Sequence, residues 1–381
     1  MPAANSPSEI DDQPDDEADG GADQSQVIEA GEGLRRQLFP FGQVEHQREH
    51  RDHAYTEADR PAEHRPAGKP PAFHVQLDII TQILGKKPSS MSRPLARAGA
   101  ASLLLLAVLA GRSSAETPLI MAFTPSRDPT ALQEAGDAFV RTVTRLSGVP
   151  MRAQVASDYA GVVEALRSRR VDLAFVHPVG YVLANREAGC QILVRDVWQG
   201  RTAYAARFYV RKGTGIERLE DLRGKTIAFV DPASSSGYIY PMVLLIKRGL
   251  VRDRDPKTFF KDALFAGTHD AALLSLVHGR VDAVATFDKA PELHLKDPAL
   301  INQLAAVGET PEIPEAGICA RPGLPADAVA RVKRALLSMK GPEHAAVLKA
   351  TYDIDGFAEA SDRDYEPVRE AMTFMGLAPP K

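Results

Sequence analysis

From Pro118 onward the chain alternates short apolar runs with longer amphipathic stretches, and this alternation limits the fold more than any other feature. Strand-like runs are predicted at 119–123, 152–155, 171–176, 191–194, 204–210, 226–230, 263–265, 281–285 and 318–320. Helical spacing is predicted between them, at 132–146, 160–169, 237–247, 270–277, 326–339 and 364–375. Strands separated by helical patterns imply βαβ units, hence an α/β fold of mostly parallel sheets with helices on both faces. Sheets of that class take ligands beyond the carboxyl ends of their strands.

Four of those strand ends run into a helix through Pro, Ser, Thr or Gly: Thr124-Pro125-Ser126, His177-Pro178-Val179-Gly180-Tyr181, Asp231-Pro232-Ala233-Ser234-Ser235-Ser236-Gly237 and Gly267-Thr268-His269-Asp270. A helix start exposes unpaired backbone N–H groups and the positive end of the helix dipole, which favours an anion. One such junction reads equally as an ordinary N-cap. Ser234-Ser235-Ser236 goes further, because one serine suffices for a cap and three offer extra hydroxyl donors.

Catalysis finds little support. The serines lack a G-x-S-x-G elbow and a nearby His–Asp pattern to activate them. Gly224-Lys225-Thr226 has no upstream glycine and precedes a strand, so it is not a phosphate-binding P-loop. Cys190 and Cys319 sit in no metal spacing; they read as buried free thiols, with pairing in an oxidising compartment as the alternative. No cofactor motif occurs. A net charge of −4 without a basic stripe argues against nucleic acid as a partner.

Composition changes sharply at about residue 90. Residues 1–90 are rich in Asp, Glu, Gln, Pro and His, and include His46, His50, His53, His64 and His74. They read as a polar segment unable to bury enough apolar surface to order itself, or as a His-rich metal-binding tail. Residues 91–115 read as a secretory signal: Arg93 and Arg97, an apolar core around Leu103-Leu104-Leu105-Leu106, then Ser113-Ser114-Ala115. The apolar run is shorter than the ~20 residues that span a bilayer. A leader behind ninety polar residues suggests that translation starts at Met91, with the mature chain from Glu116. A polar cytoplasmic extension on a signal anchor is the competing reading.

On these residues the chain resembles the phosphate-, phosphite- and phosphonate-binding family of ABC-importer subunits. The resemblance runs from about Pro118 to Met375. It is carried by Asp231-Pro232-Ala233-Ser234-Ser235-Ser236-Gly237-Tyr238, Ser157-Asp158-Tyr159, Pro178-Val179-Gly180-Tyr181, Gly267-Thr268-His269-Asp270 and Val281-Asp282-Ala283-Val284-Ala285-Thr286-Phe287-Asp288. Leu222-Arg223-Gly224-Lys225-Thr226 is a commoner motif of two-lobed binding proteins.

The resemblance implies a type II periplasmic-binding-protein fold. Residues 116–210 and 310–381 are expected to form one lobe and 211–309 the other, with crossovers near 205–212 and 307–320. It also implies a ligand-binding set of Tyr159 and Tyr181 from the first lobe, with Ser234, Ser235, Ser236, His269 and Asp288 from the second. Each has a plainer reading, as a packed tyrosine, a helix cap or an N-cap neighbour. His177 either adds a donor or fills space. The implied partners are a small phosphorus oxyanion, a membrane permease and its ATPase; the implied location is the periplasm, and the implied state a monomer.

Several alternatives stand beside this. The chain could serve a membrane histidine kinase as a sensor, or bind a sulfonate or a thiamine pyrimidine precursor on the same scaffold. An enzyme, or the effector domain of a transcription regulator, fits the residues less well. Aminoalkylphosphonate binders carry extra carboxylates for the ammonium group, and the segment Glu315-Ala316-Gly317 places no acid clearly.

Overall fold

The computed structural model describes residues 117–377. The polar segment 1–90 and the leader 91–115 lie outside the described residues. The chain opens with β1 (Leu119–Phe123), α1 (Pro129–Ser147), β2 (Met151–Val155), α2 (Tyr159–Arg167), β3 (Leu173–Val176), α3 (Pro178–Ala188) and β4 (Gln191–Val197). It crosses through β5 (Ala203–Tyr204) into β6 (Ala206–Arg211) and β7 (Thr226–Phe229). A π-helical turn, Ser235–Ile239, then leads to α4 (Tyr240–Lys247), β8 (Asp262–Phe265), α5 (His269–Val277), β9 (Ala283–Phe287), α6 (Ala290–His294), α7 (Pro298–Asn302) and β10 (Leu304–Glu309). The return runs through β11 (Ile313–Pro314) to β12 (Gly317–Ala320), α8 (Ala326–Ser338), α9 (Pro342–Tyr352), β13 (Gly356–Glu359) and α10 (Glu366–Phe374).

Two sheets result, a six-stranded one in the order β13-β4-β12-β3-β1-β2 and a five-stranded one in the order β10-β6-β9-β7-β8. The βα series is parallel, as its alternation predicts: β2, β1 and β3 in one sheet, β8, β7 and β9 in the other. The strands nearest the crossovers break that pattern. β12 arrives from the second lobe and is inserted antiparallel between β3 and β4. β6 arrives from the first lobe and is inserted antiparallel between β9 and β10. The predicted strand 204–210 is therefore two strands, and the first crossover comes earlier than 205–212. It is joined to the return segment by a short ribbon, Tyr204 opposite Ile313 and Ala203 opposite Pro314.

Packing follows from the sequence periods. α1 carries a C-cap at Gly148, whose φ of 71° lies in the left-handed region that glycine accepts without strain. Its buried face, Leu132, Phe139 and Val143, covers one side of the six-stranded sheet together with Val332 of α8 and Leu348 of α9. The other side is covered by Val162 of α2, Val182 of α3 and Val368 of α10. That second core continues without a break into the five-stranded lobe through residues such as Ile313, Phe208 and Ile227.

Candidate functional site

The helix starts behave as the capping residues require. Asp158 accepts from the Gly161 N–H at 2.7 Å, His177 Nδ1 from Gly180 N–H at 3.2 Å, Ser234 Oγ from Gly237 N–H at 3.1 Å and Thr268 Oγ1 from Ala271 N–H at 3.3 Å. The serine loop needs its glycine, because a Cβ on Gly237 would lie 2.4 Å from the Val230 Cβ. The turn that follows is π-helical rather than the α-helix expected from 237, a local widening often found at functional positions.

These starts face one cavity of about 330 Å³. Tyr159, His177, Ser234, Ser236, His269 and Asp288 all line it. Tyr159 is buried, and burial raises its phenol well above the ordinary range. Its ring packs on His177 with centroids 4.6 Å apart. His177 serves as the α3 cap, and burial pushes its pKa down to about 3, so the imidazole is neutral at pH 7. His269 is neutral as well, held well below its usual range by burial and by the nearby His294 and His177. Its Nδ1 lies 2.7 Å from Thr286 Oγ1.

Two expected ligand-binding residues are placed differently. Tyr181 is buried, but it does not line the cavity; its hydroxyl donates to Asp362 Oδ1 at 2.7 Å and its ring packs against Tyr365 at 4.6 Å. Its place within the first turns of α3 turns it toward the 3₁₀ turn Asp362–Tyr365 instead of the helix start. Ser235 is also absent from the cavity wall. Its Oγ accepts from the Val179 N–H at 3.0 Å and lies 3.3 Å from His177 Nδ1, bridging the serine loop of one lobe to the α3 start of the other. Further bonds between the lobes run from the His269 backbone N–H to the Ser126 carbonyl at 3.0 Å and, away from the cavity, from the Arg254 Nε to the Phe374 carbonyl at 3.0 Å.

Sequence reasoning missed a group that the crossovers deliver. Tyr204 of β5 lines the cavity, where Tyr181 does not, and burial raises its phenol above the ordinary range. Glu315, beside β11, has its carboxyl raised to about 8 by burial, with Asp288 pushing in the same direction. Asp196, at the end of β4, is only 2% exposed; burial and then Glu315 raise it well above the carboxylate range. Its Oδ1 has no hydrogen-bond partner among the described residues. Asp288 is raised too, chiefly by burial. Arg127 brings a guanidinium to the wall, its Nε buried without a partner and one terminal nitrogen donating to the Ala350 carbonyl. No local motif marks Tyr204, Glu315 or Asp196; they meet only because the two crossovers pair.

Among the described residues no cluster of His, Cys, Asp or Glu is arranged to hold a metal ion. What the cavity offers is hydrogen-bonding groups from two lobes and a set of carboxyls that burial raises. That is the build of a two-lobed, type II solute-binding protein. Residues 121–365 match the family described as "ABC transporter, phosphonate, periplasmic substrate-binding protein", and the chain belongs to that family.

Similar proteins agree. The chain is 32% identical over 177 residues to the phosphate-import protein PhnD of Mycolicibacterium smegmatis, a match over 45% of this chain and 55% of that protein, so it spans just over half of that relative's length. It is 26% identical over 246 residues to the phosphonates-binding periplasmic protein of Escherichia coli, covering 63% of this chain and 71% of that one. The crystal structure of a binding component of an ABC phosphonate transporter from Pseudomonas aeruginosa superposes with a TM-score of 0.63 at 23% identity, over 68% of this chain and 87% of that one.

Proposed function

We propose that this chain captures a phosphorus oxyanion outside the cytoplasmic membrane and delivers it to an ABC permease and its ATPase. One observation carries the reading: Tyr159 from the first lobe, Tyr204 from the hinge and Ser234 and Ser236 from the second lobe meet at one cavity among helix starts. An anion gripped from both sides holds the lobes closed, so binding and hinge closure are one event. The six-stranded lobe moves as one body and the five-stranded lobe, residues 206–309, as the other. The segment 91–115 serves as the export signal, and the subunit works as a monomer.

His269 and Asp288 complete the set. His269 Nδ1 is engaged by Thr286 Oγ1 at 2.7 Å, and in the tautomer in which Thr286 donates, Nε2 carries the proton that a ligand oxygen can accept. Arg127 adds the formal positive charge that the other donors lack. Asp288 sets selectivity. A carboxyl acceptor pairs with a P–OH proton, whereas sulfate has none to offer and leaves the acceptor unpaired.

The test is a thermal-shift panel on the purified chain with phosphate, phosphite, methylphosphonate, 2-aminoethylphosphonate, sulfate and taurine. A ligand that binds only the folded state raises Tm with concentration. A rise with phosphorus ligands that Ser236→Ala and Tyr159→Phe diminish is expected. A response confined to sulfate or taurine, or none to any phosphorus ligand, removes the reading.

A further inference from the structure

The cavity wall is exposed at Gln199 and Lys349 of the first lobe and at Glu292 and Leu293 of the second, which marks its opening. Trp198 and Lys289, one from each lobe, line the same cavity and are half-buried. The Lys289 ammonium lies over the Trp198 ring, 5.2 Å from its centroid, within the range of a cation–π attraction. The contact runs from one lobe to the other, so parting the lobes breaks it.

Both partners stand on fixed backbone. Trp198 leads into Gln199 and Gly200, whose φ values of 48° and 73° are the left-handed pair of a type I′ turn. Trp198 and Arg201 exchange both backbone bonds across that turn at 2.9 Å. The Asp355 N–H donates to the Val197 carbonyl at 2.8 Å and ties the turn to the six-stranded lobe. Lys289 follows Asp288, whose N–H donates to the Ala205 carbonyl at 2.9 Å and whose carbonyl accepts from the buried Tyr209 hydroxyl at 2.6 Å. Ordering a long side chain usually offsets what a surface contact gains. Fixing the backbone under both groups limits that loss.

We infer that Trp198 and Lys289 form a gate at the opening of the cavity, which sets how fast a bound solute leaves. The ammonium meets the indole as the lobes close, and the pair has to part before the solute is released. A solute arriving at the open cleft meets neither half of the contact, so the gate acts on departure and not on arrival. The gate rests on the reading of the cavity as a phosphorus-oxyanion site.

The experiment is stopped-flow kinetics with methylphosphonate and phosphate on the purified chain, carrying dyes at exposed Thr130 and Lys257 that report closure in every variant. A cation–π contact at a partly exposed position is worth about two- to five-fold in an equilibrium. Lys289→Met and Trp198→Leu should each raise the dissociation rate by about that factor and leave the association rate within about two-fold. The double variant should release ligand no faster than the faster single one, because either change removes the whole contact. Trp198 is the chain's single tryptophan, so in the unlabelled protein its emission should change as ligand is added, and Lys289→Met should diminish that change. A dissociation rate raised by less than about two-fold in either single variant, or effects that multiply in the double variant, overturn the gate and leave the oxyanion site standing. So does a Trp198 emission that ignores a ligand which closes the lobes. Failure of both ligands to close the lobes removes the gate and the oxyanion reading together.

Discussion

Removing the Ser235 hydroxyl separates two roles that a serine in this loop can play. The Ser235 Oγ takes the Val179 N–H at 3.0 Å, and the residue is 1% exposed, so in Ser235→Ala that N–H is left buried without its acceptor. When the lobes part, water satisfies both groups, and the penalty therefore falls on the closed form alone. A net hydrogen bond is worth about 1 kcal/mol and an orphaned buried donor costs up to about 3 kcal/mol. At about 1.4 kcal/mol per ten-fold, the closed-to-open ratio of the free protein falls by about 5- to 140-fold. Apparent affinity falls by the fraction of closed form that is lost. Dyes at exposed positions on the two lobes, Thr130 and Lys257, report closure by single-molecule energy transfer in the absence of ligand. Ser235→Ala should shift the free protein toward the open state. A closed fraction that stays put while affinity for phosphorus ligands drops ten-fold would refute the reasoning, because Ser235 would then act on the ligand itself.

Tyr181→Phe should lower stability by about 1 kcal/mol through loss of its bond to Asp362, yet leave ligand affinity within about two-fold; denaturant unfolding and titration calorimetry check both. Gly237→Ala should cost about 1–3 kcal/mol and lower Tm, since the added Cβ meets Val230 at 2.4 Å and the serine loop has to shift. Glu315 sets a pH dependence of definite sign. Its folded pKa, about 8, lies above the unfolded value of about 4.5, so the folded state holds the extra proton between them. The stability it contributes is complete below about pH 4.5 and is lost as pH rises through about 8; Glu315→Gln should flatten the fall in Tm between pH 5 and pH 9.

Local pattern gave the βα units because each apolar run and each amphipathic stretch carries its own period. β1 begins and ends where its apolar run does, Leu119–Phe123. Of α3 only the helix start at His177-Pro178 is legible, since residues 178–184 are buried on every side and show no single apolar stripe. The serine loop was legible for a different reason: its caps and its glycine are local demands. Tyr204 and Glu315 were not, because a register between residues more than a hundred apart, Tyr204 with Ile313, brings them to the cavity. Tyr181 was misplaced for the complementary reason. Its motif fixes where it stands in the chain, and α3 fixes which way it points.

The placement of Ser235 bears on how such a cleft can be selective without being trapped shut. Of three adjacent buried hydroxyls, the outer two line the cavity and the middle one joins the lobes. The joining bond and the His269 N–H to Ser126 bond favour closure with no ligand present. At the cleft these two bonds, worth about 1 kcal/mol each, leave the rest of closure to the ligand. On the proposed reading, an anion that engages Tyr159 on one lobe and Ser236 on the other supplies the remainder, and a solute that satisfies only one lobe does not. The neutral His177 and the raised carboxyls of Asp196 and Glu315 sharpen the same choice, because a ligand that forces any of them to ionise adds that cost to closure. Selectivity in this cleft is thus exercised at the closing step, by groups that are satisfied only when both lobes meet around the right solute.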